Sequence, residues 1–436
     1  MCHYGGTLAA IRSLGQRGVE VIAASDRAMA PGAWSRHVTS RVRCPSTTAG
    51  PRALGDWLVA FGRREPGTVL YPTSDDMAWV VSRFAPELAQ DFQLFAPPIT
   101  ALRDLLDKSV LYATCTRLGI AVPQTYLPRN EAEVSDLCPP GRTMLVKPRA
   151  QLFCPEAGKG ARIIGPLEGR KHWRKHRKAK YARGLIQEVP DLDLPLIQEY
   201  VSSADGAYSI SGFIDPLGRV VTARASKKVL QNPPVTGVGM CFVADEVDPA
   251  ALAQIVRLCR EVSYFGVFEV EFVTNAEGRR LLIDFNPRYY GQMGFDIARG
   301  APIPWLVYQA ALGRARDPVA DVTPEGAPTV YFDATTLAWR LAMGLLAGSV
   351  TFREAEECRR LIGEMRQRSA DGWWSSDDRM PAVLAAAGLA RSALRHPRAA
   401  VTSVRHGLGL DGCSFASATT GWAAKDAEPY TKVSAE

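Results

Sequence analysis

Residues 264–296 read YFGVFEVEFVTNAEGRRLLIDFNPRYYGQMGFD. From Val267 to Thr274 apolar and polar residues alternate, Asn275 to Gly278 supply a turn with a glycine suited to positive φ, and Leu281 to Asn286 alternate again. Two paired strands are expected. Neighbouring side chains point to opposite faces of a strand, so Glu269 and Glu271 share a face, as do Asp284 and Asn286. Phe268, Val270, Phe272, Leu281, Ile283 and Phe285 are expected on the opposite face. The polar face is rich in oxygen. Such a set suits Mg2+ (or Mn2+), a hard cation that takes carboxylate and amide oxygens and fills its remaining positions with water and phosphate. Arg288, held after Pro287, adds a fixed positive charge. The same alternation also describes the solvated face of an ordinary amphipathic hairpin, and either Glu269 or Glu271 is placed to approach a cation.

The chain has 436 residues, 47% of them hydrophobic, which allows one to three domains with a sizeable core. A net charge of +7 is modest for this length and suits anionic small molecules as well as it suits nucleic acid. Nine cysteines without a Cys-x-x-Cys pair point to reduced thiols and a cytoplasmic protein. The longest apolar run, Leu337 to Leu346, is broken by Arg340 and falls short of the roughly 20 residues that cross a bilayer. Six scattered histidines form no Ser-His-Asp or Cys-His constellation, so no protein nucleophile is expected.

Upstream, Thr7 to Gln16 reads as a helix and Val19 to Ala24 as a strand. Thr68 to Pro72 reads as a strand leading through Ser74-Asp75-Asp76 into a helix to Arg83, and Phe92 to Ala96 as another strand. This alternation predicts a small parallel α/β layer over residues 1–98. Gly5-Gly6-Thr7-Leu8 reads like the turn after a first strand, so that strand is expected to precede the sequence given; the full dinucleotide-binding fingerprint is lacking. The basic run from Arg170 to Arg183 is read as the solvated face of a helix, because no nucleic-acid motif accompanies it. Beyond Arg316, helices are expected over Ala334 to Leu346, Phe352 to Gln367, Pro381 to Leu389 and Arg391 to Arg395, with a disordered Ser/Thr/Ala-rich tail from Gly409.

The run Asp284-Phe285-Asn286-Pro287-Arg288 resembles the acid-x-Asn-Pro-Arg signature of the ATP-grasp superfamily, which includes biotin carboxylase, the carbamoyl-phosphate synthase large chain and D-alanine ligase. Further motifs follow in that family's order over roughly Gly5 to Gly313. These are Asp107-Lys108 before a helix ending near Gly119-Ile120, Val146-Lys147-Pro148, the partial glycine loop Gly158-Lys159-Gly160-Ala161, and Gln198-Glu199-Tyr200-Val201. Ser226 to Gly239 is similar to a basic stretch of ligases related to D-aspartate ligase. The resemblance implies that Lys108 and Lys147 meet ATP phosphates, that the hinge Gln198, Glu199 and Val201 reads adenine through backbone groups, and that Asp205 holds the ribose. It further implies that Lys228 faces the γ-phosphate and substrate carboxylate, that Glu271, Asp284 and Asn286 hold the metal, and that Arg288 is catalytic. Lys227 and Lys228 alternate faces, so one of them points inward. Asp284 stands where many members carry glutamate.

The expected architecture is α/β of the ATP-grasp type, with ATP between two antiparallel sheets. The core spans residues 99–315 with a lid at about 124–200, after the domain at 1–98 and before a helical extension at 316–408 and a tail at 409–436. The activity implied is an ATP-dependent, Mg-dependent carboxylate-amine ligase that forms an amide through an acyl phosphate and releases ADP and phosphate. Its expected partners are a small-molecule carboxylate and amine and a second copy in a homodimer, with neither membrane nor nucleic acid. The alternatives are a bicarbonate-activating carboxylase or carbamoyl-phosphate type of enzyme, and a non-catalytic nucleotide- or RNA-binding protein.

Overall fold

A computed structural model describes residues 5–154, 160–202, 206–232, 237–314, 323–365 and 368–404. Asp205, Gly158, Lys159 and the tail from Gly409 lie outside the described residues.

The first described element is the helix Gly5–Gly15, so Gly5 and Gly6 begin a helix and do not form the expected turn. A close approach explains the second glycine: a Cβ on Gly6 would sit 2.0 Å from the Tyr290 carbonyl oxygen. Strands β1 (Ile22–Ser25) and β2 (Ser40–Arg43) pair in parallel. The strands expected at 68–72 and 92–96 reduce to one parallel bridge between Val69 and Gln93. The helix Asp75–Arg83 follows, capped by the Ser74 hydroxyl, which accepts from the Met77 amide at 3.3 Å. Ala78, Trp79, Val80 and Val81 anchor it in the core.

A four-stranded antiparallel sheet comes next, with β3 (Thr125–Tyr126), β4 (Thr143–Lys147), β5 (Ala161–Ile164) and β6 (Leu196–Glu199) in the order β3-β6-β4-β5. The basic run lies largely on the helix Pro166–Arg177, whose Trp173 is buried beneath this sheet's core with Met144, Val146 and Ile197. Arg174 meets Glu131 at 2.6 Å, and Arg170 donates to Ser135 at 2.6 Å.

The main sheet has seven strands: β7 (Ala207–Ile214), β8 (Val220–Asn232), β9 (Val238–Asp245), β10 (Gly266–Thr274), β11 (Arg280–Asn286), β12 (Val330–Phe332) and β13 (Ser369–Asp371). Their order is β11-β10-β7-β8-β9-β12-β13. The hairpin β10–β11 turns through Gly278 at φ 76°. Its pairing is interrupted after Glu271, where the partner of Phe272 is Leu282. This irregularity corrects the strict alternation expected for β11. Leu282 joins Phe268, Val270, Phe272 and Phe285 in the core, with Ala251, Ile255 and Leu258 of the helix Pro249–Glu261, and Ile283 is only partly buried. The shift lies beyond Glu271 and Asp284, so Glu269, Glu271, Asp284 and Asn286 sit together on one side of it in unbroken register and keep one face.

The segment expected to be a helical extension is not helical throughout. Strands β12 and β13 continue the main sheet from β9, and the residues from 380 to 395 form one continuous helix. The loop before that helix returns to the chain's beginning. Asp378, 3% exposed, accepts from Arg12 Nε at 2.9 Å, Ser35 Oγ at 2.6 Å and the Arg36 amide at 2.9 Å. Asp378→Ala removes the acceptor shared by Arg12, Ser35 and the Arg36 amide and is expected to lower unfolding free energy by about 2 kcal/mol, read as a shift in the urea midpoint. An unchanged midpoint would show that the clasp contributes nothing. Among the described residues, no helix is long and apolar enough to cross a membrane.

Candidate active site

The register of the main sheet sets the polar face in two rows. Glu271 pairs with Asp284 across β10 and β11, and Glu269 pairs with Asn286. The rows continue onto β7 and β8 through Ser209 and Ser226 in the first case, Ser211 and Arg224 in the second. The two glutamates have different surroundings. Glu269 is 4% exposed and accepts from Asn286 Nδ2 at 2.6 Å and Gln292 Nε2 at 3.1 Å. Burial first, and the neighbouring Glu271 second, raise its pKa to about 7. Glu271 is the more open of the two and accepts from Lys228 Nζ at 2.7 Å.

Lysines from three elements close on this floor. Lys108 is the first residue of the helix Lys108–Arg117 and forms an ion pair with Asp284. The helix is fixed there by Asp107, which caps the Ser109 amide at 3.0 Å and also pairs with Arg149. Burial opposes the charge on Lys108, but Asp284 outweighs it and the pKa is raised. Lys228 behaves likewise, its burial offset by Glu271 and Glu269. Lys227, on the other face of β8, reaches Asp245 at 3.3 Å instead. Lys147, at the end of β4, donates to Gln198 Oε1 at 2.7 Å, and Gln198 in turn donates to Thr125 Oγ1 at 2.9 Å. Burial, then the positive charge of Lys108, pushes the Lys147 pKa down to about 8.

Arg288 is held on three sides. Its Nε donates to Asp75 Oδ1 at 2.8 Å, Nη2 to Asn286 Oδ1 at 2.8 Å, and Nη1 to the Tyr289 carbonyl at 3.1 Å. Since Nδ2 of Asn286 points to Glu269, its amide oxygen faces the guanidinium.

The structure therefore groups Lys108, Lys147, Lys228, Glu271, Asp284, Asn286 and Arg288. At the hinge, Gln198 is fully buried and its side chain steadies Lys147, whereas the Glu199 side chain points outward to Arg142 at 3.8 Å. The Glu199 amide donates to the Gln124 carbonyl at 2.9 Å, and Val201 lies two residues beyond the end of β6. The sequence reading passed over the site roles of Asp75, Gln292 and Tyr112, whose hydroxyl donates to the Ile283 carbonyl at 2.7 Å. The only signal for Asp75 was its place after an N-cap serine.

Among the described residues no three His, Cys, Asp or Glu side chains form a metal cluster. The candidate set is two carboxylates and one amide, Glu271, Asp284 and Asn286. These oxygen donors match what Mg2+ accepts, and the adjoining lysines suit the phosphates that would complete its coordination.

A small antiparallel sheet that ends in Lys147 and a larger one that carries the carboxylate floor make up the ATP-grasp fold. The biotin carboxylase domain of Hydrogenobacter thermophilus 2-oxoglutarate carboxylase, solved with MgADP, ADP and bicarbonate, is similar in structure. It has a TM-score of 0.56 at 14% identity, over 74% of this chain and 71% of that one. N5-carboxyaminoimidazole synthetase from Staphylococcus aureus has a TM-score of 0.52 at 12% identity, over 72% and 77% of the two chains. An L-amino acid ligase from Bacillus licheniformis has a TM-score of 0.51 at 15% identity, over 72% and 73%. At these identities the likeness is one of fold. No protein-family model matches the chain, and no curated protein matches it in sequence.

Proposed function

We propose that the chain is an ATP-dependent ligase that activates a small carboxylate as an acyl phosphate and transfers it to an amine. The observation that carries this reading is the pairing of Glu271 with Asp284 beneath Lys108, Lys147, Lys228 and Arg288. Transfer of a γ-phosphoryl group to a carboxylate brings two anions together, so it needs charge neutralisation and in-line positioning more than a protein nucleophile. Glu271, Asp284 and Asn286 would hold Mg2+, which supplies charge neutralisation at the phosphates. Lys108 and Lys147 bind the phosphates, and the Glu199 to Val201 hinge receives adenine through backbone groups. Lys228 orients the substrate carboxylate, and Arg288 stabilises charge on the transferring group. Attack by the amine then forms the C–N bond and expels phosphate, with ADP as the other product.

Each candidate metal carboxylate lies beside a lysine suited to a phosphate, Asp284 beside Lys108 and Glu271 beside Lys228, which fits this reading. The name of the Bacillus licheniformis ligase supports an amino acid as one substrate. The bicarbonate found with the Hydrogenobacter thermophilus domain favours a second reading, in which bicarbonate is the acid. The cysteines described are free, which fits action in the cytoplasm, and a homodimer remains part of the proposal.

The test is ADP release from MgATP across paired carboxylates and amines, with mass spectrometry of the products. The ligase reading expects release that depends on both partners and an amide product. Release with bicarbonate alone would favour the second reading, and tight RNA binding without turnover would overturn both. A pH dependence is also expected. Lys147 is charged below a pKa of about 8 and neutral above it, so it loses its phosphate contact as pH rises. MgADP affinity should fall about 10-fold between pH 7 and 9, the worth of one charge-assisted hydrogen bond, and Lys147→Met should flatten the profile. A flat wild-type profile in calorimetry would contradict the assignment.

A further inference from the structure

Arg288 is anchored by a residue far from its own hairpin. Asp75 is the first residue of the helix Asp75–Arg83 in the N-terminal part of the chain, and its Oδ1 accepts from Arg288 Nε at 2.8 Å. Arg288 and Asp75 side chains are 22% and 25% exposed, so the pair is partly withdrawn from water. The Asp75 charge also reaches Lys108, contributing to that lysine's stronger hold on its proton. The carboxylate is itself fixed. Its helix is capped by Ser74 and buries Trp79, which is 2% exposed, and the next residue, Asp76, accepts from the Phe153 amide at 2.7 Å. Phe153 is buried and holds φ at 51°, a conformation that non-glycine residues keep only when their surroundings impose it. Adjacent carboxylates on one rigid helix start thus hold Arg288 on one side and the segment that follows Lys147 on the other.

We propose that Asp75 is a positioning residue for phosphoryl transfer, supplied by the N-terminal part of the chain to aim Arg288. This rests on the ATP-dependent reading of the site. Nε is taken by Asp75, Nη2 by Asn286 and Nη1 by the Tyr289 carbonyl, which fixes the guanidinium plane. Each terminal nitrogen carries a second hydrogen, and these are the donors Arg288 can offer to a transferring phosphoryl group. Without Asp75 the guanidinium can rotate away from Asn286, and a small misplacement is enough to weaken a transition-state contact. Binding of nucleotide in the ground state does not need that aim.

The experiment uses the full chain and MgADP, with and without aluminium fluoride as a mimic of the transferring phosphoryl group, followed by calorimetry. Wild type should bind MgADP and hold it at least about 10-fold tighter with fluoride present. Asp75→Ala should keep MgADP affinity within about 3-fold while losing most of the tightening, and Asp75→Asn, which retains an acceptor oxygen, should restore it. In an Arg288→Ala background, Asp75→Ala should cost nothing more, because the two act as one unit. Full tightening in Asp75→Ala would overturn the proposal, as would an equal further loss on top of Arg288→Ala. Failure of wild type to bind MgADP at all would overturn the nucleotide reading, and the positioning role with it.

Discussion

Asp284→Ala is expected to lower Mg-dependent ADP formation by at least about 1000-fold, because it removes a candidate metal ligand and the partner of Lys108 together. Glu271→Ala should do the same, since it is the cross-strand neighbour of Asp284 and the partner of Lys228. The effect on folding runs separately. Lys228, 9% exposed at its side chain, would be left as a buried cation in Glu271→Ala, a change worth about 2 kcal/mol of stability. Adding Lys228→Met removes that orphaned charge and should recover the urea midpoint without recovering activity. Divalent binding gives the independent readout: Mn2+ added with ADP should give a bound-metal resonance signal in wild type and lose it in both single variants. Wild-type ADP formation in either variant would remove Glu271 or Asp284 from the site.

Arg288→Ala should separate turnover from binding. The guanidinium lies beside Asn286 and is anchored by Asp75, so it is available to charge that develops during transfer. Loss of one such donor costs about 100- to 1000-fold in turnover, whereas MgADP affinity should stay within about 3-fold. Stability should hold or fall slightly, because Asp75 is partly exposed and water can replace the lost partner. Arg288→Lys keeps a charge but cannot reproduce the three-sided hold, so it should recover little of the lost rate. Unchanged turnover, or a loss confined to nucleotide affinity, would contradict the role given to Arg288.

Much of this site was legible because its elements are local. The hairpin follows from period-two alternation and a glycine turn, and the run from Asp284 to Arg288 lies within five residues of sequence. The pairing of Lys228 with Glu271 follows from the same alternation once β7 lies between their strands. What could not be read depends on distant or very short elements. The shift after Glu271 that turns Leu282 inward leaves no mark in the alternation of apolar residues, since Leu281, Leu282 and Ile283 are interchangeable by composition. Strands β12 and β13 have three residues each, too few to show a period. Asp75 reaches Arg288 across 213 residues, and nothing in an Asp-Asp pair at a helix start distinguishes this contact from ordinary capping. The clasp at Asp378 belongs to the same class: a loop aspartate acquires meaning only when Arg12, Ser35 and Arg36 are brought to it.

The central claim is that ATP is spent on activating a carboxylate. Its most direct test labels the carboxylate oxygens with 18O, using any acid that supports ADP release with an amine, and follows the label into inorganic phosphate. An acyl-phosphate route predicts one labelled oxygen in each phosphate released, together with an amide that retains the other. Unlabelled phosphate formed in step with ADP would contradict the account, because the γ-phosphoryl group would then have gone to water and the carboxylate would never have been activated.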